Sequence, residues 1–288
     1  MFKKIISLLL AFTLLFSPLA FAKDLYINSK PPLGSQIDWS NPLSRGLVGA
    51  WLMNEGAGNI SNSIAQCLPA LFKNGAYFIN TPKGKGIYFD GVNDYVLLPN
   101  KFLKSPSNFS IVVAFSPVSN QGEGEGYTIL VDLRNDWQIY TGWIDSNDAT
   151  HPASIRVDIS DGTQRTIWSA NNSVAIGSYH QFVFTYTNKL LSLYLDANSP
   201  LTTPSAGDAI AVSAGYNTIG SSYAPGRYSN AKIIFVYIYS RALSPFEAQS
   251  LYIDPYQIIK QNYRLYVPAV APPTAVFGGR IIQIQQSW

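Results

Sequence analysis

Apolar residues alternate with polar ones through much of this chain, in runs of strand length between about residues 47 and 240. The two clearest runs are 180–187 (HQFVFTYT) and 190–195 (LLSLYL), and Asn188 and Lys189 can form a turn between them. Successive side chains of a strand point to opposite faces, so each run presents one apolar face. Gly, Asn, Asp and Pro residues separate the runs. The pattern predicts an all-β body.

Further strands are predicted on the same grounds, and ten or more strands in about 200 residues imply two packed sheets or a barrel. Aromatic residues at 14% and charged residues at only 13% agree with a strand-rich chain. Besides the hairpin, the predicted strands are Leu47–Met53, Gly86–Asp90, Tyr95–Leu98, Phe109–Phe115, Thr128–Leu133, Trp137–Ile144, Ser154–Ile159, Gln164–Trp168 and Ile233–Tyr239. The residues expected in the core include Trp51, Phe89, Phe182 and Phe184.

One short helix is predicted near the C-terminal end of this body. Ser244 can cap its first turn, Pro245 suits the first helical position, and Glu247 completes a Ser-x-x-Glu capping box. The helix should run to about Tyr252. It should stop at Asp254, because the residue before a proline is disfavoured in the α region.

Residues 1–22 have the pattern of a secretory signal peptide. A positive start is followed by the apolar run Ile5–Phe16, which is too short to span a bilayer, and by Ala20-Phe21-Ala22, a small-x-small cleavage pattern. We therefore expect cleavage after Ala22, a secreted or surface-associated protein with no membrane span, and an N-terminal lead-in over residues 23–40.

Charge and cysteine content argue against a nucleic-acid-binding protein and against a disulfide-stabilised one. The formal charge of +3 falls to +1 once Lys3 and Lys4 are removed with the leader, so no nucleic-acid partner is expected. The single cysteine, Cys67, forbids an intramolecular disulfide, and we predict that it is a small buried residue.

Four segments resemble those of laminin G-like jelly-roll domains, in the same order: NPLSRGLVGAWLMNEGAGN (41–59), GKGIYFDGVNDYVLLP (84–99), the hairpin at 180–196, and AKIIFVYIYSRALSPFEAQSLY (231–252). Those domains belong to the concanavalin A-like lectin/glucanase superfamily. The resemblance covers about residues 41–256. It implies a two-sheet antiparallel jelly-roll sandwich, with most members acting as carbohydrate-binding or adhesive modules.

Residues 257–288 form a C-terminal tail rather than a second domain, with Pro268, Pro272 and Pro273 followed by two glycines. The alternating run Ile282–Gln285 can add as a strand to the tail itself or to the edge of another chain, which would give a homo-oligomer. The alternative is a tail that is disordered in isolation.

The resemblance also implies a structural calcium ion, Ca²⁺, with Glu55 in a segment where relatives place a ligand and Asp90 as a second candidate. The case is weakened at Ile233–Val236, where relatives commonly read Ile-Asp-Glu-Val and both carboxylates are missing here. Asp90 has a competing role, because Gly91 permits a turn whose backbone N–H groups Asp90, Asn93 or Asp94 can bind.

A separate acidic and aromatic cluster occupies residues 132–152. Strict alternation puts its two tryptophans on one face of a strand, with Tyr140 on the other. Aromatic rings cover the apolar face of a sugar, and Asp and Asn side chains bind its hydroxyl groups. The alternative is that the tryptophans are core and the acids solvated. The candidate saccharide-binding residues are Trp137, Trp143, Asp145, Asn147 and Asp148.

No catalytic pattern is found. Glucanases of the superfamily that this chain resembles carry Glu-x-Asp-x-(x)-Glu on one strand, and this chain lacks that motif. It also lacks Gly-x-Ser-x-Gly and His-Glu-x-x-His. The nearest carboxylates on predicted strands, Asp132 and Asp158, have no glutamate at strand spacing, and the sequence does not exclude a pair drawn from different strands. His180 is predicted to be a hydrogen-bonded structural residue.

Two functions follow from these patterns. The favoured one is a secreted, non-catalytic carbohydrate-binding or adhesion module whose partner is a glycan or a cell-surface polysaccharide. The alternative is a structural or interaction protein of a cell or virion surface, assembled through residues 257–288.

Overall fold

A computed structural model describes residues 30–99, 108–119, 127–133, 139–145, 149–160, 164–204, 216–222, 227–260, 275–277 and 280–282. Strands dominate these residues, and the one α-helix among them is α1 (Pro245–Ile253). The strands are β1 Leu47–Trp51, β2 Ile60–Asn62, β3 Pro69–Lys73, β4 Tyr77–Thr81, β5 Gly84–Asp90, β6 Tyr95–Leu98, β7 Asn108–Pro117, β8 Tyr127–Leu133, β9 Ile139–Asp145, β10 Ile155–Ser160, β11 Gln164–Trp168, β12 His180–Thr187, β13 Leu190–Leu195, β14 Leu201–Pro204, β15 Asn217–Ile219, β16 Asn230–Tyr239, β17 Ala275–Phe277 and β18 Arg280–Ile282.

Strands β1–β16 form two antiparallel eight-stranded sheets, and β17 and β18 form a separate hairpin. The first sheet has the order β14-β13-β12-β7-β16-β5-β4, with β1 also paired to β16. The second sheet has the order β11-β10-β9-β8-β15-β6-β3-β2. The predicted two-sheet antiparallel sandwich with one short C-terminal helix is confirmed.

A main hydrophobic core fills the space between the sheets. It includes the predicted core residues Trp51, Phe89, Phe182 and Phe184, all fully buried. Alternate residues of the central strands point into it, as the period-two pattern requires. Burying this interface removes a large apolar area from water, which is the main stabilising contribution to such a fold.

A second apolar cluster lies on the outer face of the first sheet. There β1, β7 and β16 bury their other faces beneath α1 and the segment before β1, with Ile37, Leu251 and Ile259 among the covering residues. Ile37 also forms a β-bridge with Ile259. The packed body therefore extends past the predicted limits of 41–256, because the lead-in and the first tail residues cover a sheet face that would otherwise meet water.

The local signals that the sequence offered are realised. Asn188 and Lys189 have φ values of 49° and 62°, the paired positive values of a type I′ turn, and they join β12 to β13. Ser244 and Glu247 form the predicted capping box of α1. Among the described residues, no helix is long and apolar enough to cross a membrane.

The prediction that Cys67 is buried is wrong. Its thiol-bearing side chain is exposed, and its φ of 52° places it in the turn between β2 and β3. β2 and β3 lie at the edge of the second sheet, and short connections of this kind run over the protein surface.

Candidate functional site

Three of the residues predicted to bind a saccharide, Trp137, Asn147 and Asp148, lie outside the described residues. The other two, Trp143 and Asp145, lie on β9, a central strand of the second sheet, where the course of the backbone is described. The predicted strand is therefore present.

β9 pairs differently with its two neighbouring strands. Trp143 pairs with Arg156 and Tyr140 pairs with Asp158, but the register shifts by one residue between Arg156 and Val157. On the other side, β8 keeps a regular register, with Ile129 opposite Trp143 and Val131 opposite Thr141. The placement of Tyr140 and the tryptophans on opposite faces therefore stays a prediction.

β10, which neighbours β9, and β11 beyond it carry a polar network on the second sheet. Asp158 accepts hydrogen bonds from Arg156 Nε at 3.0 Å and from the Thr166 hydroxyl at 2.5 Å. The Trp168 ring stacks on the ring of His151 at 4.2 Å and lies 5.1 Å from the Arg156 guanidinium. These groups bind one another, so the network explains how buried Asp158 is stabilised rather than presenting a ready catalytic acid.

A pocket of about 230 Å³ opens beside the outer cluster of the first sheet. Three separate segments form it: the turn between β4 and β5, the residue before β12, and the end of α1 with the residues that follow. Since three of its six lining residues are tyrosines, we call it the tyrosine pocket. Its lining residues are Lys83, Tyr179, Tyr252, Ile253, Pro255 and Tyr256.

The aromatic walls of the tyrosine pocket are fixed by packing. Tyr256 is buried and meets the ring of Phe235 edge to face, with ring centroids 5.9 Å apart. The backbone carbonyl of Pro255 accepts a hydrogen bond from the hydroxyl of Tyr237 at 3.1 Å. These contacts fix the backbone beyond α1 on the first sheet, so the wall is preformed.

The opposite wall combines a ring with a cation. The Lys83 ammonium lies 5.2 Å from the ring centroid of Tyr179, within the range of a cation–π interaction. The hydroxyl of Tyr179 donates to Gln181 Oε1 at 3.3 Å. Burial raises the pKa of the Tyr179 and Tyr256 phenols well above their ordinary value, so both are neutral: the Tyr179 hydroxyl uses its one hydrogen on Gln181, and the Tyr256 hydroxyl can donate to a ligand.

A second layer of polar groups lies behind Tyr179. Gln181 donates its backbone N–H to Asp196 Oδ1 at 2.8 Å, and Asp196 Oδ2 lies 2.6 Å from His180 Nδ1. The prediction that His180 is a hydrogen-bonded structural residue is confirmed. Within the part of the chain that the structure describes, the side-chain Nε2 of Gln181 is buried without a hydrogen-bond partner.

This combination suits a small polyhydroxylated ligand. Flat aromatic faces pack against the C–H surface of a sugar ring, while phenols and a lysine bind its hydroxyl or carboxyl groups. The volume is below the ~300–1,000 Å³ of sites for drug-sized ligands, so it fits one ring rather than a long chain.

Sequence reasoning missed this pocket, because its residues are distant in the chain and none follows an alternating pattern with the others. The available signal was the pair Tyr252 and Tyr256 at the end of a helix, with Tyr179 directly before a strand. Tyrosine at an exposed helix end is a typical binding residue, since it offers both a ring and a donor.

The two predicted calcium ligands are not brought together. Glu55 follows β1 and lies near the amino group of Lys30. That amino group donates to the carbonyl of Lys85, so Glu55 lies near the end of β5 that contains Lys85. Asp90 ends β5, five residues further on, which is about 16 Å of extended strand.

Both carboxylates also have structural partners. Glu55 accepts hydrogen bonds from the Ser61 hydroxyl at 2.9 and 3.0 Å and from the Asn62 N–H at 2.8 Å. Asp90 accepts from the N–H of Val92 at 2.8 Å, as its predicted turn role requires. No cluster of three or more His, Cys, Asp or Glu side chains occurs among the residues described, so these residues do not fit a calcium ion, which takes six to eight oxygens.

Buried Asp94 explains the rest of the Phe89–Tyr95 turn. Its carboxylate accepts from the backbone N–H groups of Gly75 at 2.6 Å and Asp90 at 3.2 Å. Burial raises its pKa, whereas these two hydrogen bonds lower it and the nearby Asp90 carboxylate raises it further. Asp94 therefore holds two loops together.

Comparison with known proteins gives one family and many similar folds. The Laminin_G_3 family model, described as "Concanavalin A-like lectin/glucanases superfamily", matches residues 90–249. The curated proteins give no match.

Solved structures give several matches over the sandwich. Domain 4 of AbnA, a GH43 extracellular arabinanase from Geobacillus stearothermophilus solved with arabinotriose, has 12% identity and a TM-score of 0.51, over 71% of this chain and 97% of that one. The binding domain of botulinum neurotoxin serotype D has 11% identity and a TM-score of 0.57, over 74% of this chain and 53% of that one. A mutant sialidase of Trypanosoma rangeli displaying trans-sialidase activity has 19% identity and a TM-score of 0.54, over 74% of this chain and 33% of that one. At these identities the likeness shows the fold alone.

Proposed function

The chain belongs to the concanavalin A-like lectin/glucanases superfamily, and we propose that it is a secreted, non-catalytic module that binds a glycan or a cell-surface polysaccharide. The family match over residues 90–249 agrees with the motifs that carried the resemblance. The solved neighbours include a domain in complex with arabinotriose and the binding domains of toxins, which are binding modules of the same fold.

The observation that carries this proposal is the tyrosine pocket. It offers the rings of Tyr179, Tyr252 and Tyr256 with an ammonium group at one side. A sugar ring satisfies such a site better than a purely apolar ligand, because its hydroxyl groups can pair with the Tyr252 and Tyr256 phenols and the Lys83 ammonium, whereas the Tyr179 hydroxyl already donates to Gln181.

The carboxylates near these sites favour binding over hydrolysis. Retaining glycosidases need two carboxyl groups about 5–5.5 Å apart, one of them ready to give a proton. Asp158 is bound to Arg156 and Thr166, and Asp196 is bound to His180 and the Gln181 backbone. We therefore expect the protein to release no reducing sugar from β-glucans.

A glycan array probed with the full chain tests the proposal. We expect binding to one or a few saccharides, and Tyr252→Ala should weaken that binding by about tenfold or more. Phe246→Ala is the matched control, because Phe246 is an exposed aromatic residue of the same helix that does not line the pocket. Equal loss in both variants, or no binding to any saccharide, would contradict the proposal.

The strand β9 provides a second location for the same activity. Trp143→Ala and Asp145→Ala remove the described members of the site predicted from sequence. If either variant loses glycan binding without a lower melting temperature while Tyr252→Ala retains it, the glycan site lies on the second sheet instead of in the tyrosine pocket.

The alternative function, assembly through the tail, has one observation in its favour. β17 and β18 pair with each other, and an isolated two-stranded hairpin is marginally stable in water. A partner strand from another copy would stabilise it. Light scattering of the full chain and of a chain ending at Lys260 tests this, by comparing the number of subunits in each species. A full chain with more subunits than the shortened chain supports assembly, and the same number of subunits in both contradicts it.

A further inference from the structure

The strand β16 changes partner along one edge, which leaves a fork in the first sheet. Ile233 pairs with Ile87 of β5, whereas from Val236 onward the same edge pairs with β1. On the other edge, the register with β7 shifts between Ile233 and Phe235. Ile234 therefore lies in the fork between β5 and β1, where no strand continues the ladder on that side.

Backbone carbonyl groups at such a fork need a donor or a cation, since an unpaired buried carbonyl is costly. The amino group of Lys30 supplies it: Nζ donates to the carbonyl oxygens of both Ile234 and Lys85. The side chain thus bridges β16 and β5 at the point where the two strands separate.

Lys30 is held in this position by its neighbours. Its stem lies against Gly84, where an added Cβ would come within 2.7 Å of the Lys30 Cβ. The next residue is tied down as well, because Asn54 Nδ2 donates to the carbonyl of Pro31 at 2.8 Å. The lead-in segment therefore delivers one lysine to a fixed place.

The charge of Lys30 is matched by one nearby acid. Burial lowers the pKa of Lys30 to about 7, and the carboxylate of Glu55 acts in the opposite direction by favouring the charged form. Glu55 is itself oriented by Ser61 and Asn62. The fork thus contains two carbonyl oxygens, a carboxylate and a positive group of the chain itself.

We propose that the Lys30 ammonium is a built-in cation that occupies the position a bound calcium ion would take at this fork, so that this chain needs no metal there. The composition of the fork agrees, since residues 233–236 supply a backbone carbonyl but no carboxylate. One carboxylate is too little charge to hold calcium tightly, but it suits a single lysine.

Thermal unfolding of the full chain at about pH 6, where Lys30 is protonated, tests this proposal. The wild-type melting temperature should change by less than about 1 °C with a chelator or with about 10 mM CaCl₂. Lys30→Met should lower it by about 5 °C or more, because the part-buried carbonyl of Ile234 and the carbonyl of Lys85 both lose a charged donor. Lys85→Met is the matched control, since the Lys85 ammonium makes a long 3.4 Å contact with Asn80 at the surface.

In the Lys30→Met variant, which has no amino group at the fork, the fork should also bind a metal ion weakly. We expect about 10 mM CaCl₂ to raise the melting temperature of Lys30→Met by about 2 °C or more, while an equal ionic strength of NaCl does not. A wild type that loses stability in chelator, a Lys30→Met variant no weaker than Lys85→Met, or one indifferent to calcium would each overturn the proposal. If Lys30→Met fails to fold, Lys30→Arg should fold, because it keeps a charged donor, and calcium should not change its melting temperature. Failure of Lys30→Arg to fold would overturn the proposal as well.

Discussion

The Nδ1 atom of His180 lies 2.6 Å from Oδ2 of Asp196, and this contact joins the first residue of β12 to the residue that follows β13. The other ring nitrogen, Nε2, accepts the backbone N–H of Ala175 at 2.9 Å. Since Nε2 is an acceptor, the ring proton resides on Nδ1 and is donated to the carboxylate. Asp196 also accepts the N–H of Gln181, so one carboxylate fixes the strand start beside the tyrosine pocket.

Removing this carboxylate should destabilise the sandwich. Asp196→Ala leaves the imidazole of buried His180 and the N–H of Gln181 without their acceptor, and we expect a loss of about 2–3 kcal/mol in the free energy of unfolding. Urea unfolding measures it. Asp38→Ala is the control, because the Asp38 carboxylate is at the surface and bonds only to its neighbour Ser40; a similar loss in both variants would show that the Asp196 contacts are energetically minor.

The helix cap makes stability depend on acid. Burial opposes ionisation of Glu247, but hydrogen bonds from Arg241 and Ser244 outweigh it and hold the pKa of Glu247 below its ordinary value. A carboxyl group whose pKa is lower in the folded state stabilises the fold above its unfolded pKa, and that stability is lost as pH falls through the folded value.

Glu247→Gln should therefore cost about 1 kcal/mol at pH 7, because it removes the ion pair with Arg241, whereas the amide oxygen of glutamine can still accept the Ser244 N–H of the capping box. The difference between variant and wild type should shrink as pH falls below about 4. Denaturant unfolding at several pH values measures this, and a difference that stays constant down to pH 3 would contradict the assigned role.

Two glycines with nearly the same backbone conformation should respond differently to alanine. Gly220 and Gly58 have φ values of 84° and 85°, but a Cβ on Gly220 would lie 2.6 Å from the ring of buried Phe89, whereas one on Gly58 meets nothing within 4 Å. We expect Gly58→Ala to cost about 1 kcal/mol from φ alone and Gly220→Ala about 3 kcal/mol or more. Equal melting temperatures for the two variants would rule out the steric part of this account.

The thiol of Cys67 should react in the native protein, since it is exposed in a turn. Titration with a thiol-specific chromogenic reagent should label one equivalent without denaturant. Labelling that requires denaturant would mean that the turn between β2 and β3 is covered, as the sequence had suggested.

The parts of the fold that were predictable are those specified by neighbouring residues. The hairpin at Asn188–Lys189 and the cap at Ser244 depend on contacts within a few positions, so the pattern of side chains was sufficient. Short edge strands such as β4 (Tyr77–Thr81) were missed, because strands with one partner and few buried residues carry little alternation.

The candidate sites were less predictable, because both depend on where distant segments meet. Lys83, Tyr179 and Tyr256 converge only when the helix packs on the first sheet, and no local spacing relates them. Lys30 lies in a polar lead-in that shows no strand or helix pattern, and its role depends on a change of partner in β16. The register shift between β9 and β10 is likewise not visible in any local spacing of the sequence.

The central claim is that the tyrosine pocket receives the sugar, and an NMR titration with tyrosine-labelled protein tests it directly. On adding the saccharide that binds best on an array, the ring signals of Tyr179, Tyr252 and Tyr256 should shift and saturate together, while those of exposed Tyr77 and Tyr216 stay in place. Saturable binding that leaves the three pocket signals unmoved would contradict the claim.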